Sequence, residues 1–228
     1  MAKSLTIRLL GAPEITWQSR PYTVPRRQTR ALLYRLAAEL EPISRDHLLL
    51  LFWPDKADLQ ARRSLTRILS SLRSALPHPD LILSDTSTIS LNPQMVGSDS
   101  AVFFQLSERE EERAWTKAAA LVSGPFLDGF SFPGSPEFDS WQTGMEGRIE
   151  QSYLRILARL IASKTASDDL AAAIQYANQY LAIDDLAETI HRQLITLYAY
   201  KGEREAAMRQ FEACVLVLER ELGVGPLP

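Results

Sequence analysis

The chain has 228 residues, 46% of them hydrophobic, with one cysteine and a formal net charge of −3. No apolar run approaches the roughly 20 residues that span a bilayer, and no secretory signal is recognisable, so we expect neither a membrane protein nor a secreted disulfide scaffold. We expect a cytoplasmic protein of two domains, since a typical domain holds roughly 100–200 residues.

The two parts of the chain differ in charge. Residues 1–97 hold 13 Lys and Arg against 8 Asp and Glu, a net charge of +5, whereas residues 98–228 hold 12 against 20, a net charge of −8. This asymmetry indicates that only the first part contacts a polyanion. A chance fluctuation of solvated surface charge would give the same asymmetry, so charge alone does not establish that the first part contacts a polyanion.

The chain begins with short strands, which a helix follows. Leucine and isoleucine alternate with polar residues over 5–9, which predicts a half-buried strand, and 14–18 and 22–24 are two further candidates for a small antiparallel sheet. Helical periodicity then covers 26–40, with Pro25 at the position where proline suits a helix start.

Two more helices and a hairpin follow. Ser44 is the predicted N-cap of a helix over 45–52, and Asp58 that of a third helix over 58–76. Apolar residues on both sides of a polar tip predict a β-hairpin over 81–91. Strands, three helices and a hairpin, in this order, predict a winged helix-turn-helix.

Residues 92–98 contain proline and glycine and predict a domain boundary, with domains 1–97 and 98–228. Matches 34 residues apart, such as Ala172 with Ala206, favour a tetratricopeptide-like (TPR-like) second domain over a generic helical bundle, which remains the alternative. We therefore predict a mainly α fold with small antiparallel sheets, an N-terminal winged helix-turn-helix and an all-α TPR-like domain. Helical patterns in the second part cover 98–106, 108–122, 136–164, 168–182, 186–200 and 203–222.

The predicted third helix is amphipathic, with leucines on one arc and cationic and hydroxyl residues on the opposite arc. Arginine binds guanine with two hydrogen bonds, and serine and threonine reach phosphates or base edges. A charged, solvated helix face is common, but the place of this helix just before the hairpin favours DNA contact. The predicted contacts are Arg63 and Arg67 in the major groove, Arg62 and Arg73 at phosphates, and Thr66, Ser70 and Ser74 at either.

Two other segments are predicted to contact DNA. Arg26 and Arg27 begin the first helix, where their cations could hold phosphates. Ser87 and Thr88 lie at the hairpin tip, where their hydroxyl groups could reach a neighbouring minor groove or the backbone.

Short motifs occur in a fixed order along the chain. In the first part they are LTIRLLG (5–11), ALLYRLA (31–37), SRDHL (44–48), LFWPD (51–55) and ARRSL (61–65). In the second part they are Asp99, GPFL (124–127), EFDSW (137–141) and LERELGV (218–224). Together they resemble the Streptomyces antibiotic regulatory protein (SARP) family, and the second part resembles its bacterial transcriptional activator domain.

The resemblance implies an OmpR-type winged helix in activators that bind direct repeats near promoters, commonly side by side, and recruit RNA polymerase. It places Trp53, Asp55 and Lys56 in the connector that contacts the polymerase, although Trp53 could equally be a core residue that ends the second helix. The expected partners are double-stranded DNA and RNA polymerase, with a possible dimer on DNA direct repeats. Family members usually continue beyond residues 225–228, so we expect a piece of a longer regulator.

No phosphate-binding loop, nucleophile motif or zinc-binding motif is present, and the three histidines are scattered. We therefore expect no enzyme activity, no cofactor and no metal site. The leading interpretation is a sequence-specific transcription regulator, most simply an activator, that reads DNA with residues 58–76. The alternative is a TPR-like protein-interaction module of a larger signalling protein, whose winged helix does not bind DNA.

Overall fold

The computed structural model of the protein describes residues 4–225. The chain forms two compact units. The N-terminal unit holds the residues up to Gln105 together with Ala120–Ile149, and the C-terminal unit holds Leu106–Ala119 and the residues from Glu150 onward. The predicted division between residues 97 and 98 stays a prediction. Of the chain end at 225–228, residues 226–228 lie outside the described part.

In the described part, the strands are β1 (Leu5–Arg8), β2 (Glu14–Trp17), β3 (Arg20–Pro21), β4 (Ile43–Ser44), β5 (Ile82–Ser84), β6 (Thr88–Leu91) and β7 (Val96–Ser98). The helices are α1 (Arg27–Ala37), α2 (Arg45–Phe52), α3 (Asp58–Ala75), α4 (Asp99–Ser107), α5 (Glu112–Ala119), α6 (Pro136–Ala166), α7 (Leu170–Leu181), α8 (Glu188–Tyr200) and α9 (Arg204–Leu222). The predicted fold class is confirmed: small sheets and a winged helix come first, and helices alone follow.

The first sheet has the strand order β3-β2-β1-β7. The predicted third strand at 22–24 is wrong, because the strand lies at Arg20–Pro21. Gln18 and Ser19 both have positive φ, 50° and 65°, so the turn after β2 takes only two residues and the chain reverses at once.

Strand β7 lies in the segment that we predicted as a domain boundary. It pairs with β1 in parallel, with Leu5 opposite Val96, so this sheet is not purely antiparallel. Asp99 follows directly, and its carboxylate accepts hydrogen bonds from the backbone N–H groups of Leu9 (2.7 Å) and Leu10 (3.0 Å). The buried carboxylate thereby satisfies the donors at the end of β1.

Helices α1, α2 and α3 and the β4-β6-β5 sheet form the rest of the winged helix. The Ser44 hydroxyl accepts a hydrogen bond from the N–H of His47 (3.1 Å), so the predicted N-cap of α2 is confirmed. The predicted N-cap of α3 is wrong, because Ala57 occupies that position and Asp58 lies in the first turn. The apolar arc of α3 is buried as predicted: Ala61, Leu65, Ile68, Leu69 and Leu72.

Aromatic side chains of the connector before α6, residues 120–135, contact helices α1 and α2. Phe130 contacts Tyr34 of α1 edge to face at 5.0 Å, and Phe132 contacts Phe52 of α2 at 5.6 Å. Close backbone packing holds the start of this segment, where a Cβ at Gly11 would collide with the Ser123 hydroxyl. Residues Ala120–Ile149 thus belong to the same packed unit as the winged helix.

In the C-terminal unit, α7 packs against α8 and α8 packs against α9. Ala177 of α7 and Leu194 of α8 belong to one buried apolar cluster. Cys214 is buried in α9, whereas Phe211 on the same helix is 52% exposed. None of the described helices combines the length and the apolar character that crossing a membrane requires.

Candidate nucleic-acid interface

Helix α3 presents a polar face to solvent. Arg63 and Arg67 lie four residues apart and are exposed, and Ser70 and Ser74 continue the same face along the helix. In residues 4–225, no carboxylate forms an ion pair with either arginine. The buried leucines fix the helix to the unit, so both guanidinium groups are available to a ligand.

Arg62 lies next to this face but is engaged by two carboxylates. Its Nε is 2.9 Å from Oδ2 of Asp58, and its Nη2 is 3.0 Å from Oδ1 of Asp46 on α2. These hydrogen bonds, first that of Asp58, raise the pKa of Arg62. A phosphate at Arg62 would have to compete with both carboxylates, so the predicted phosphate contact needs their displacement. Thr66 is also exposed, and its hydroxyl donates to the carbonyl oxygen of Arg62 (2.9 Å).

The C-terminal end of α3 is tied to its surroundings. Nη2 of Arg73 donates to the hydroxyl oxygen of Ser84 at the end of β5 (2.5 Å). The Tyr22 hydroxyl donates to the carbonyl oxygen of Ala75 (2.6 Å). The bond to Ser84 ties α3 to the hairpin. Arg73 has donors left for a phosphate because a guanidinium carries five N–H groups.

The tip of the hairpin is organised around Asp85. Its carboxylate accepts hydrogen bonds from the N–H groups of Thr88 (2.6 Å) and Ser87 (2.7 Å) and from both hydroxyl groups (3.0 and 2.9 Å). These donors, first the N–H of Thr88, hold the pKa of Asp85 far below the ordinary value of 3.8. Ser87 and Thr88 therefore offer DNA only acceptor oxygens as long as this turn persists.

A cleft of about 220 Å³ lies beside α3 in the N-terminal unit. Three cationic residues line it: Arg26 before α1, Lys56 in the α2–α3 loop and Arg67 on α3. Arg27 is exposed but does not line the cleft. Arg26, Lys56 and Arg67 were predicted to have three different roles, and the structure brings them together around this cleft.

The α2–α3 loop also contains the residues predicted to contact a polymerase. Trp53 caps α2, is 9% exposed and contacts Phe52, so its position fits the core residue that was the alternative prediction. Asp55 and Lys56 are exposed. The Nζ of Lys56 lies 5.6 Å from the centre of a Trp53 ring, which holds the ammonium group over an aromatic face.

The winged helix with its cationic α3, followed by helices alone, defines a winged-helix transcription regulator. Over residues 104–228 the sequence matches the family described as the bacterial transcriptional activator domain. This match covers more than half of the chain, and the chain belongs to that family. The predicted SARP-type architecture is thereby confirmed.

The fold is also similar to that of Mycobacterium tuberculosis EmbR, whose structure was solved in complex with a low-affinity phosphopeptide. The TM-score is 0.70 at 20% sequence identity, and the similarity covers 100% of this chain. The chain spans 63% of the EmbR chain. No curated protein sequence matches the chain.

Proposed function

We propose that the protein is a sequence-specific DNA-binding activator that inserts α3 into the major groove at promoter direct repeats and recruits RNA polymerase. The observation that carries this proposal is the exposed pair Arg63 and Arg67, free of carboxylates, on a helix anchored by buried leucines. Guanidinium groups at such positions can each bind O6 and N7 of a guanine.

The geometry of α3 supports insertion into a groove. With 18 residues, the helix is about 27 Å long at 1.5 Å per residue, and the major groove of about 12 Å admits a helix. The bond between Arg73 and Ser84 couples the helix to the hairpin, so both would meet the duplex together. Arg27 is exposed at the start of α1 and would contact a phosphate.

Polymerase recruitment and side-by-side binding of two copies on direct repeats rest on family membership. Within the α2–α3 loop, the exposed Asp55 is the residue that we assign to polymerase contact. The buried Trp53 would stabilise the loop by packing in the core and would not itself contact the polymerase.

The proposal is tested by selecting duplexes from a random library and measuring binding by fluorescence anisotropy at fixed salt. Arg63→Ala with Arg67→Ala should lower affinity at least about 30-fold, because each groove-reading arginine contributes about 1–3 kcal/mol. The matched control is Arg113→Ala with Lys117→Ala, an exposed pair of cations at the same spacing on α5. Equal binding by the α3 variant and this control would contradict the assignment of α3.

The second candidate is a protein-interaction module whose winged helix does not bind DNA. It is favoured by apolar side chains that α9 leaves in solvent, among them Met208 (57% exposed) and Phe211 (52%). If the wild-type protein enriches no duplex from the library, the DNA-binding proposal fails and this candidate takes its place.

A further inference from the structure

We propose that the cleft beside α3 is a preformed site for one phosphate group of the DNA backbone, in which Lys56 is the central cation. This inference rests on the proposed function and deepens it. It moves Lys56 from polymerase contact to DNA binding.

The charge of the cleft supports an anionic ligand. Arg26, Lys56 and Arg67 supply three positive charges, and no carboxylate is among the residues that line the cleft. No ion pair to a described residue neutralises any of the three. Like charges that converge without a counterion repel one another, so a bound anion would remove an unfavourable interaction.

The cleft also offers neutral hydrogen-bond donors. The hydroxyl oxygen of Ser64 lies 3.4 Å from Nζ of Lys56, and the hydroxyl oxygens of Thr29 and Ser71 are 3.4 Å apart. Thr29 lines the cleft and is 2% exposed. Helix α1 begins at the same place, and no side chain caps its first N–H groups. Phosphate oxygens accept hydrogen bonds from all of these donor types.

The position of the cleft favours the DNA backbone over an acidic peptide. Ser64, Arg67 and Ser71 face the cleft from α3, and Arg67 also belongs to the face assigned to the major groove. A helix in the major groove has a phosphate strand along each side. A ligand in this cleft therefore occupies the place of a strand that borders the groove.

The cleft is preformed by packing. Trp53 is buried against Phe52, and its ring lies under the ammonium group of Lys56. This support limits the freedom of a flexible side chain, so less entropy is lost when a phosphate binds.

The test compares Lys56→Ala with the wild type on a selected duplex, from 50 to 200 mM salt. We expect roughly tenfold weaker binding, a plot of log K against log salt that is less steep by about one, and an unchanged base preference. Lys56→Arg should restore the slope. Lys117→Ala, which removes one exposed cation from α5, is the matched control and should leave affinity and slope unchanged.

Neutral methylphosphonates placed one at a time along the same duplex identify the phosphate. At one position, the methylphosphonate should lower the affinity of the wild type about as much as Lys56→Ala does. The same methylphosphonate should not lower the affinity of Lys56→Ala further, because the effects of removing two contacting partners are not additive.

Each other outcome overturns the inference in a distinct way. If Lys56→Ala binds DNA like Lys117→Ala, the phosphate site is wrong while the proposed function stands. If it binds normally but no longer activates transcription in vitro, the cleft contacts polymerase. If the wild type binds no duplex, both proposals fail together.

Discussion

The two sides of helix α3 carry similar residues in different electrostatic settings. On one side, two carboxylates from α2 and from the first turn of α3 surround the guanidinium group of Arg62. On the other side, Arg26, Lys56 and Arg67 line a cleft without a carboxylate. The difference teaches that the number of arginines on a helix does not measure its attraction for a polyanion. What counts is how many of their charges the protein itself leaves unpaired.

Arg35 shows the opposite extreme within the same unit. It is 7% exposed, its Nη1 lies 3.6 Å from Oε2 of Glu39, and its Cζ lies 5.0 Å from the centre of a Trp141 ring. Burial lowers the pKa of Arg35, and Glu39 acts in the opposite direction. This arginine holds α1 and α6 together and has no surface to offer a ligand.

Of the effects that distinguish paired from unpaired arginines, the largest is expected on the stability of the protein when the buried Arg35 is replaced. Arg35→Ala should lower the free energy of unfolding by about 2–4 kcal/mol, because it removes the packing of a buried side chain on Trp141. Urea unfolding measures the change. The control is Arg148→Ala, which removes the exposed partner of Glu39 and should cost no more than about 1 kcal/mol. Equal losses in both variants would show that burial does not separate these arginines.

A smaller effect is expected on the paired side of α3. Asp46→Asn with Asp58→Asn should free Arg62, tighten binding to duplex of any sequence several-fold, and steepen its salt dependence by about 0.9, the value for one more neutralised phosphate. Anisotropy titrations over a salt series measure both changes. Adding Arg62→Ala to the double variant should cancel them. Tightening that survives this third substitution would mean that lost negative charge, rather than a freed arginine, is responsible.

The smallest effect concerns the hairpin tip, where N–H and hydroxyl donors rather than cations satisfy a carboxylate. Because folding lowers the pKa of Asp85 below 3.8, its contribution to stability is present above pH 3.8 and is lost only as the pH falls further. An NMR titration should show the Asp85 carboxyl group still ionised at pH 3.8, the ordinary pKa of an aspartate. Half protonation of Asp85 at pH 3.8 would mean that the turn does not hold its hydrogen bonds in solution.

The sequence predicts helices α2 and α3 well because the signals that define them are local. The Ser44 cap and the 3.6-residue spacing of the buried leucines define α2 and α3 to within one residue. The fixed-order motifs also predict the family. The helix signals depend only on residues within one or two helical turns of each other, so they can be recognised without knowledge of the tertiary structure.

The partners of the charged residues could not be predicted in the same way. Asp46 is 16 residues before Arg62, and their contact depends on the angle between two helices. The cleft joins residues 26, 56 and 67, which only tertiary packing brings together. Strand β7 has only three residues, too few to show the alternation of apolar and polar residues that predicts a strand. Its partner β1 lies at the beginning of the chain, with Leu5 opposite Val96.

The central claim is that Arg63 binds the edge of a guanine in the major groove. The direct measurement replaces each guanine of a selected duplex by 7-deazaguanine, which lacks the N7 acceptor, and compares the wild type with Arg63→Ala. We expect one guanine at which the replacement weakens binding of the wild type several-fold and leaves binding of Arg63→Ala unchanged. If every replacement weakens both proteins equally, Arg63 does not contact a guanine N7 and the assignment of α3 is contradicted.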